Sequence, residues 1–238
     1  MAEIAIRDDL KTRKKRFDAI EPVSLKGLVS GVIREAILNG KLSPGERIVE
    51  SQLAKQMSVG QNAVREALQE LEFQGFVTKT PNKGTFVTDL SLDDINQIYT
   101  FRMEFEGFAA QLAREAGRPN AQDISELERA LRGMQEGADA SDFLKFSRSD
   151  LEFHEIIWHA SGNYYVEKAL RAVAIPQFSY VLVRSFRHTH LNLQAITQQH
   201  REILENLKSG KPLACREYLT KITEDFWRQI VSSIEKPK

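Results

Sequence analysis

The sequence predicts a mostly α-helical protein in two parts. An N-terminal winged helix-turn-helix, with three helices and a β-hairpin wing, precedes an all-helical bundle of about six helices. Apolar residues recur at intervals of three and four along most of the chain, which is the period of a helix. Two short strand-like runs flank the turn residues 81–84, and no strand pattern follows residue 91.

The composition is that of a globular protein without membrane segments. A chain of 238 residues can form two modest domains, and its 42% hydrophobic and 28% charged residues are ordinary values. Cys215 is the only cysteine, which excludes an intrachain disulfide and fits a reducing compartment. No apolar run approaches 18 residues and no signal-peptide core is present, so we expect a cytoplasmic protein.

The first segment, residues 1–22, is predicted to be a flexible basic arm. It contains the run KTRKKR at residues 11–16. A solvated tail and an arm that lies on phosphates both fit this run. Ser24 is a candidate N-cap for the helix that follows, and Gly40 is expected to end that helix.

Residues 23–90 predict a winged helix-turn-helix domain. A short helix over 50–57 is followed by a tight turn and by a second helix over about 61–74, and the wing comes next. In this arrangement the second helix lies in the major groove of DNA and contacts bases with its first turns.

The first turns of that second helix carry the candidate base readers Gln61, Asn62 and Arg65. Glutamine and asparagine can each make two hydrogen bonds to adenine, and arginine can make two to guanine. Apolar residues occupy the opposite helix face and are expected to pack inward. The alternative is that these three residues belong to an ordinary solvated helix face.

Residues 91–238 predict a second, all-helical domain. Ser91 and Asp94 form a candidate capping box at its start. We expect helices over 92–116, 121–136, 141–161, 163–175, 177–208 and 212–234, the fifth with a possible break near residues 188–192. The breaks between helices are placed at glycines and prolines, including Gly137 and Pro176.

Two pairs in this bundle suggest a binding site. Asp150 and His154 stand at i and i+4, so a carboxylate and an imidazole share one helix face and can bind one metal ion. Arg102 would be costly to bury alone. Either Glu106 neutralises it or Arg102 binds an anionic ligand, because a guanidinium matches a carboxylate.

Residues 45–89 resemble the winged-helix domain of the GntR family of bacterial transcription regulators. The matching residues are Gly45, Glu50, Leu53, Ala54, Val59, Val64, Arg65, Glu66, Ala67, Leu68, Leu71, Gly75, Val77 and Gly84. The usual S-R-T-P of the family is replaced here by the residues at 60–63, G-Q-N-A. The resemblance implies phosphate or groove-edge contacts from Arg34, Ser51, Lys83 and Gly84.

The run DLEFHEIIWHASGN at 150–163 and the segment around His200 resemble the FCD ligand domain of the FadR subfamily of these regulators. In that domain an aspartate and three histidines commonly hold a divalent metal. Three of those positions are Asp150, His154 and His200 here, and the fourth aligns with Ile222. The resemblance implies Zn²⁺, Ni²⁺ or Mn²⁺ as candidate metals, and effector binding by Arg102 with the same three residues. A pocket that uses these residues without a metal is the alternative.

Together the resemblances imply a ligand-responsive regulator of transcription. We expect a homodimeric repressor that binds a palindromic double-stranded operator and releases it when a small organic acid binds the helical domain. One rival is a metal-dependent enzyme built on the Asp150, His154 and His200 cluster. Another is a metal sensor whose effector is the ion itself.

Overall fold

The computed structural model describes residues 24–188 and 191–235, so the predicted basic arm at 1–22 lies outside the described residues. The N-terminal part contains α1 (Leu25–Leu38), β1 (Arg47–Ile48), α2 (Glu50–Met57), α3 (Gln61–Phe73), β2 (Val77–Thr80) and β3 (Gly84–Val87). The C-terminal part contains α4 (Leu92–Glu115), α5 (Ala121–Ala140), α6 (Phe143–Ala160), α7 (Tyr164–His188), α8 (Leu193–Ser209) and α9 (Pro212–Glu235). The predicted fold class is confirmed.

The winged part is organised around the inner faces of α1 and α3. Ser24 caps α1 by accepting a hydrogen bond from the backbone N–H of Gly27. Apolar residues at helical spacing on both helices form one core: Val29, Ile33 and Ile37 of α1 with Val64, Ala67, Leu68 and Leu71 of α3. This packing fixes the rotation of α3, and therefore which of its residues face outward.

The wing is one strand larger than predicted. The two expected strands, β2 and β3, pair antiparallel, and β1 pairs with the other edge of β3, with Arg47 opposite Phe86. Two residues are too few for an alternating pattern to appear in a sequence, so β1 could not be predicted from periodicity. The strand places Arg47 on the outer side and buries Ile48.

In the helical part, α4 packs along α9, and α5 along α6. The predicted capping box at the start of α4 is present: Ser91 and Asp94 exchange hydrogen bonds between side chain and backbone. Large buried side chains such as Phe153, Ile157 and Trp158 of α6 occupy the interior. No helix among the described residues is both long and apolar enough to cross a membrane.

The predicted break at Pro176 is wrong. Helix α7 runs through this proline to His188, and α8 begins at Leu193 with Asn192 as its cap, which agrees with the possible break expected near residues 188–192. A proline inside a helix removes one backbone hydrogen bond and crowds the preceding turn. Burial of the neighbouring Ile175 and Gln177 shows that tertiary packing holds the helix together here, which overrides the local preference.

The predicted end of α5 at residue 136 is also wrong. The helix continues through Gly137 and ends where Ser141 takes a left-handed conformation, with a φ of 54°. A Cβ on Gly137 would lie 2.7 Å from the backbone nitrogen of Phe146. Gly137 is therefore required for the close approach of α5 and α6, not for ending a helix.

Candidate nucleic-acid interface and buried polar pocket

Helix α3 presents its first turn to solvent. Gly60 is its N-cap residue and makes no side-chain cap, and the following Gln61 and Asn62 are exposed. Ser51, in the first turn of α2, is exposed as well. The open surface is compatible with base or phosphate contacts by these residues, and those roles remain predictions.

Arg65 is also exposed, but it already has a partner. Its Nε and Nη2 both donate to Glu50 Oε2, at 3.1 and 3.0 Å. The contact joins α3 to the first turn of α2 while leaving the Arg65 side chain 52% exposed. A surface ion pair of this kind contributes at most about 1 kcal/mol, so DNA can replace it at low cost. Sequence spacing gave no sign of the pair, because only the fold brings the two residues together.

Two basic side chains flank the wing. Lys83 is exposed in the turn between β2 and β3, and Arg47 is exposed on β1. Gly84 has a φ of +109°, and a Cβ there would lie 3.3 Å from Arg47 Nε. Arg47 was missing from the predicted contact residues. Because the two-residue β1 shows no alternating pattern in the sequence, the exposed position of this arginine beside the wing could not be predicted from spacing.

Arg34 occupies a different environment. It is half-buried on α1, near Glu70 of α3 and Arg148 of α6. Burial lowers the pKa of Arg34, and the positive charge of Arg148 adds to that effect. The residue therefore lies at the junction of the two parts of the chain and is less open than Gln61 or Lys83. Its predicted phosphate contact stays a prediction.

Inside the bundle, three side chains from two helices converge. Asp150 and His154 lie on one face of α6, and His200 approaches them from α8. Asp150 Oδ1 lies 2.9 Å from His200 Nε2 and 3.7 Å from His154 Nε2, and the two Nε2 atoms are 3.3 Å apart. Ligand atoms about 2.0 Å from a tetrahedral zinc ion are about 3.3 Å from one another. The spacing of the three atoms therefore fits one divalent ion.

The outer nitrogens of both histidines face acceptors. His200 Nδ1 lies 2.8 Å from the carbonyl oxygen of Ile196, and His154 Nδ1 lies 3.1 Å from Glu106 Oε2, in poor alignment for a hydrogen bond. A proton on each Nδ1 leaves each Nε2 as an acceptor. Asp150 Oδ1 is buried and also lacks a well-directed hydrogen bond. Three acceptors thus meet, and a cation is needed among them, either a proton or a metal ion.

Arg102 and Glu106 lie next to this cluster as a buried ion pair. Arg102 Nε donates to Glu106 Oε1 over 2.7 Å, and the two side chains are 4% and 0% exposed. Arg102 Nη1 donates to the side-chain oxygen of Gln177, whose Nε2 donates to Tyr99 Oη over 2.7 Å. The ring of Phe178 lies 4.5 Å from the guanidinium carbon. Glu106 therefore neutralises Arg102, as one of the two sequence alternatives required, and Gln177 is a partner that the sequence did not reveal.

The pKa values of these groups follow their contacts. Burial alone would raise the pKa of Glu106, but Arg102 and His154 outweigh it and lower that pKa to about 2. Burial alone would lower the pKa of His200, but its contact with Asp150 raises it above the ordinary value. The same contact keeps the pKa of Asp150 low in spite of burial. The cluster is thus a set of matched charges in a desolvated site.

One side of a cavity between α4, α6, α7, α8 and α9 is polar and is formed by Arg102, Asp150, His154, Gln177 and His200. Most of the remaining lining is apolar: Phe143, Phe146, Phe178, Val181, Leu191, Leu193, Ile196, Ile203, Ile222 and Phe226. Ile222 therefore does face the cluster, at the position where the resemblance places a fourth metal ligand. A concave, mostly apolar space with a few convergent polar groups is the usual form of a small-molecule site.

One turn of α7 touches both the cavity and the winged part. Gln177 and Phe178 line the cavity. Ser179 Oγ donates to the carbonyl oxygen of Gln74, the C-cap residue of α3. A Cβ on the adjacent Gly75 would lie 2.7 Å from Pro176 Cα, so the two backbones are in close contact. The cavity and the end of α3 are therefore separated by the width of one helix.

A second connection runs through apolar side chains. Val183 of α7 is buried in the core of the winged part, and Phe143 of α6 packs against that core while also lining the cavity. The boundary expected near residue 90 thus separates two parts that share a packed junction.

Two family models match the chain. The FCD domain model matches residues 97–225, and the model described as bacterial regulatory proteins, gntR family, matches residues 27–87. The Nta operon transcriptional regulator of Aminobacter aminovorans is 31% identical over 195 residues, which cover 80% of this chain and 87% of that protein. The probable D-xylose utilization operon transcriptional repressor of Paenarthrobacter nicotinovorans is 27% identical over 208 residues, covering 86% and 89%.

The fold is also similar to solved structures. The structure of E. coli McbR/YncC has a TM-score of 0.66 at 23% sequence identity, covering 88% of this chain and 99% of that one. The matched families and the relatives' names describe transcription regulators and not enzymes, which leaves the enzyme alternative without support. The chain is a member of the GntR family of bacterial transcription regulators and consists of a GntR winged helix-turn-helix joined to an FCD domain.

Proposed function

We propose that this protein is a homodimeric repressor that leaves its operator when a small carboxylate binds the cavity of the FCD domain together with a divalent metal ion. The observation that carries the proposal is the turn of α7 at 176–179, which lines the cavity on one side and contacts the end of the recognition helix α3 on the other. A ligand that alters this turn has a direct physical route to the DNA-binding surface.

Three donors support the metal. Asp150, His154 and His200 converge at ligand–ligand distances, and Asp150 Oδ1 is buried without a well-directed hydrogen bond. A divalent ion bound there would supply positive charge for a carboxylate. Because the fourth position is Ile222, one coordination position is left for water or for the effector, as in open metal sites. Zn²⁺, Ni²⁺ and Mn²⁺ all suit nitrogen and oxygen donors of this kind.

Regulation would follow from a population shift. The protein exchanges between an operator-binding arrangement and another one, and a ligand changes their ratio only if it binds one of them more tightly. The hydrogen bonds of Gln177 to Arg102 and Tyr99 and the contact of Ser179 with Gln74 lie within one helical turn. A ligand that competes for Arg102 would disturb that turn, and therefore the contacts through which α7 supports the end of α3.

Other observations support the repressor role and the dimer. One relative that aligns with 86% of this chain is named a probable transcriptional repressor of a D-xylose utilization operon. Helix-turn-helix proteins that bind palindromic sites do so as two-fold dimers, so that each α3 enters one half-site. Sedimentation of the free protein and of its operator complex tests the dimer directly.

The central test is operator binding measured by fluorescence anisotropy, with DNA from upstream of the protein's own gene. Protein stripped with a chelator is compared with protein given Ni²⁺ alone, a carboxylate library alone, and both together. We expect operator affinity to fall by about fivefold or more only with metal and an active acid, the lower end of usual coupling.

Three results separate the alternatives. A change with Ni²⁺ alone identifies a metal sensor. A change with an acid in the chelated protein identifies a metal-free effector pocket. Unchanged affinity under all conditions, or a response that persists in full in His200→Ala, would overturn the proposal, and the second result would show that the cluster is structural.

A further inference from the structure

We infer that the effector is a monocarboxylate with an apolar, preferably aromatic, body. The inference rests on the proposed function and goes further by defining the chemical class of the ligand. It follows from how charge and polarity are distributed over the cavity wall.

The charged lining residues Arg102, Asp150, His154 and His200 form one patch with Glu106, which lies behind them. Glu106 pairs with Arg102 and lies 3.1 Å from His154, and Asp150 lies 2.9 Å from His200. Among the described lining residues, Arg102 is the only lysine or arginine. Its Nε and Nη1 already donate to protein groups, and Nη2 donates to no other described residue. An anionic group of the ligand is therefore confined to this patch, at Arg102 Nη2 or at an ion held by Asp150, His154 and His200.

The wall formed by α9 offers no free hydrogen-bond donor among its described residues. Ile222 and Phe226 present hydrocarbon, and the Thr223 hydroxyl donates to the carbonyl oxygen of Leu219 in its own helix. α8 and the start of α6 add further hydrocarbon to the lining, with Leu193, Ile196 and Ile203 from α8 and Phe143 and Phe146 from α6. A second carboxylate pointed at these side chains would lose water and gain no hydrogen-bond donor.

Uncharged polar side chains are scarce in the lining. Gln177 is engaged with Arg102 and Tyr99. Ser147 and Gln199 line the cavity and are half-buried, and neither makes a hydrogen bond to another described residue. They can serve one polar substituent on the ligand. They cannot satisfy the several hydroxyls of a sugar acid or the carboxylates of a di- or tricarboxylic acid.

Aromatic rings set the shape of the apolar part. Four phenylalanines from three different helices, Phe143, Phe146, Phe178 and Phe226, line the cavity. Flat rings pack edge to face or offset against other rings with energy beyond simple burial. An aromatic or branched aliphatic body therefore matches this wall better than an extended polar chain does.

The test is isothermal titration of the full-length protein with two matched sets of probes, with and without Ni²⁺. The apolar monocarboxylates are benzoate, phenylacetate and isovalerate, and the polar comparators are malonate, citrate and gluconate. Benzamide, which keeps the ring and lacks the charge, controls for the carboxylate. We expect the best apolar acid to bind about tenfold or more tightly than benzamide and than every comparator.

Ile222 provides the matched variants. Ile222→Leu keeps an apolar wall of the same volume, whereas Ile222→Asn introduces unpaired polar atoms at the same place. We expect the Asn variant to lose about tenfold in affinity for the apolar acid and the Leu variant to stay within about threefold. Thermal melts without ligand confirm that both variants fold.

The outcomes distinguish the ligand class from the proposed function. If malonate, citrate or gluconate binds more tightly than all three apolar acids, the ligand class is wrong while the effector pocket stands. Equal loss in Ile222→Leu and Ile222→Asn also overturns the class, because polarity at the wall would then not matter. If no probe binds and operator affinity responds to none of them, the inference and the proposed function both fail.

Discussion

The side-chain hydroxyl of Ser179 donates a hydrogen bond to the backbone carbonyl of Gln74, and this contact joins the middle of α7 to the end of the recognition helix. The neighbouring Gly75 lies directly against Pro176. Since the same turn of α7 lines the cavity, one helical turn supports both the end of α3 and the ligand site. The first prediction concerns the contact between Gly75 and Pro176.

Gly75→Ala should destabilise the protein more than the matched change Gly162→Ala. Both glycines have positive φ, at +75° and +67°, so both variants share the backbone penalty. Only at Gly75 would the new Cβ meet Pro176, at 2.7 Å, and such overpacking costs about 1–3 kcal/mol. Urea unfolding measures the difference. Equal stabilities for the two variants would mean that the backbones at Gly75 and Pro176 can move apart at little cost in free energy.

Arg65→Ala should weaken operator binding by about 1–3 kcal/mol and relax sequence preference, which is the usual effect of losing a bidentate base contact. Gln69→Ala, an exposed change farther along α3, is the control and should have little effect. Glu50→Gln removes the ion-pair partner and separates the two roles of Arg65. If Arg65→Ala binds random and operator DNA like the wild type, the arginine only connects α2 and α3.

Gln61→Arg should change the preferred operator base. Glutamine favours adenine and arginine favours guanine, and residue 61 is exposed at the start of α3. Selection from random DNA should therefore enrich different bases at one position of each half-site for the two proteins. Identical selected sequences would exclude Gln61 as a base reader.

Ile222→His should raise the affinity for Ni²⁺, because it adds a fourth donor beside the three that are present, and His200→Ala should lower it. Calorimetric titration of the chelator-treated protein measures both changes, with Ile222→Leu as the control for altered packing. His154→Ala and His200→Ala should also abolish the effector response and leave operator binding in place. Equal Ni²⁺ affinity in all variants would remove the metal from the proposal.

Arg102→Met should cost about 3–5 kcal/mol of unfolding free energy, since it leaves the Glu106 carboxylate buried without its guanidinium partner. The double change Arg102→Met with Glu106→Gln removes both charges and should recover most of that loss. Chemical denaturation of the single and double variants tests the pair. A loss in the double variant as large as in the single one would show that packing of the long side chain matters more than charge.

Much of the architecture could be predicted from the sequence because its signals are local. The helix-turn-helix and the capping box at Ser91 depend on spacing within a few residues, and both are present. The break at Pro176 was predicted from a local rule and is wrong, because burial on α7 outweighs the lost hydrogen bond. Tertiary packing decides such positions.

The site shows the same division. Asp150 and His154 could be paired from their spacing on one helix, whereas His200 required the resemblance to a known domain. Gln177 and the partnership of Glu50 with Arg65 were missed, because each depends on residues brought together only by the fold.

The shared packing of Val183 and Phe143 has a practical consequence for dissecting the protein. A shortened chain that stops near residue 90 would lack both side chains and would expose the apolar surface they cover. Such a fragment is expected to aggregate more readily, and to be less stable, than the winged part within the whole chain. Weak DNA binding by that fragment would then reflect the loss of these packing contacts and not the DNA affinity of the winged part itself. Proteolytic cleavage near residue 90 of the folded full-length protein is a better way to separate the functions of the winged part and the FCD domain.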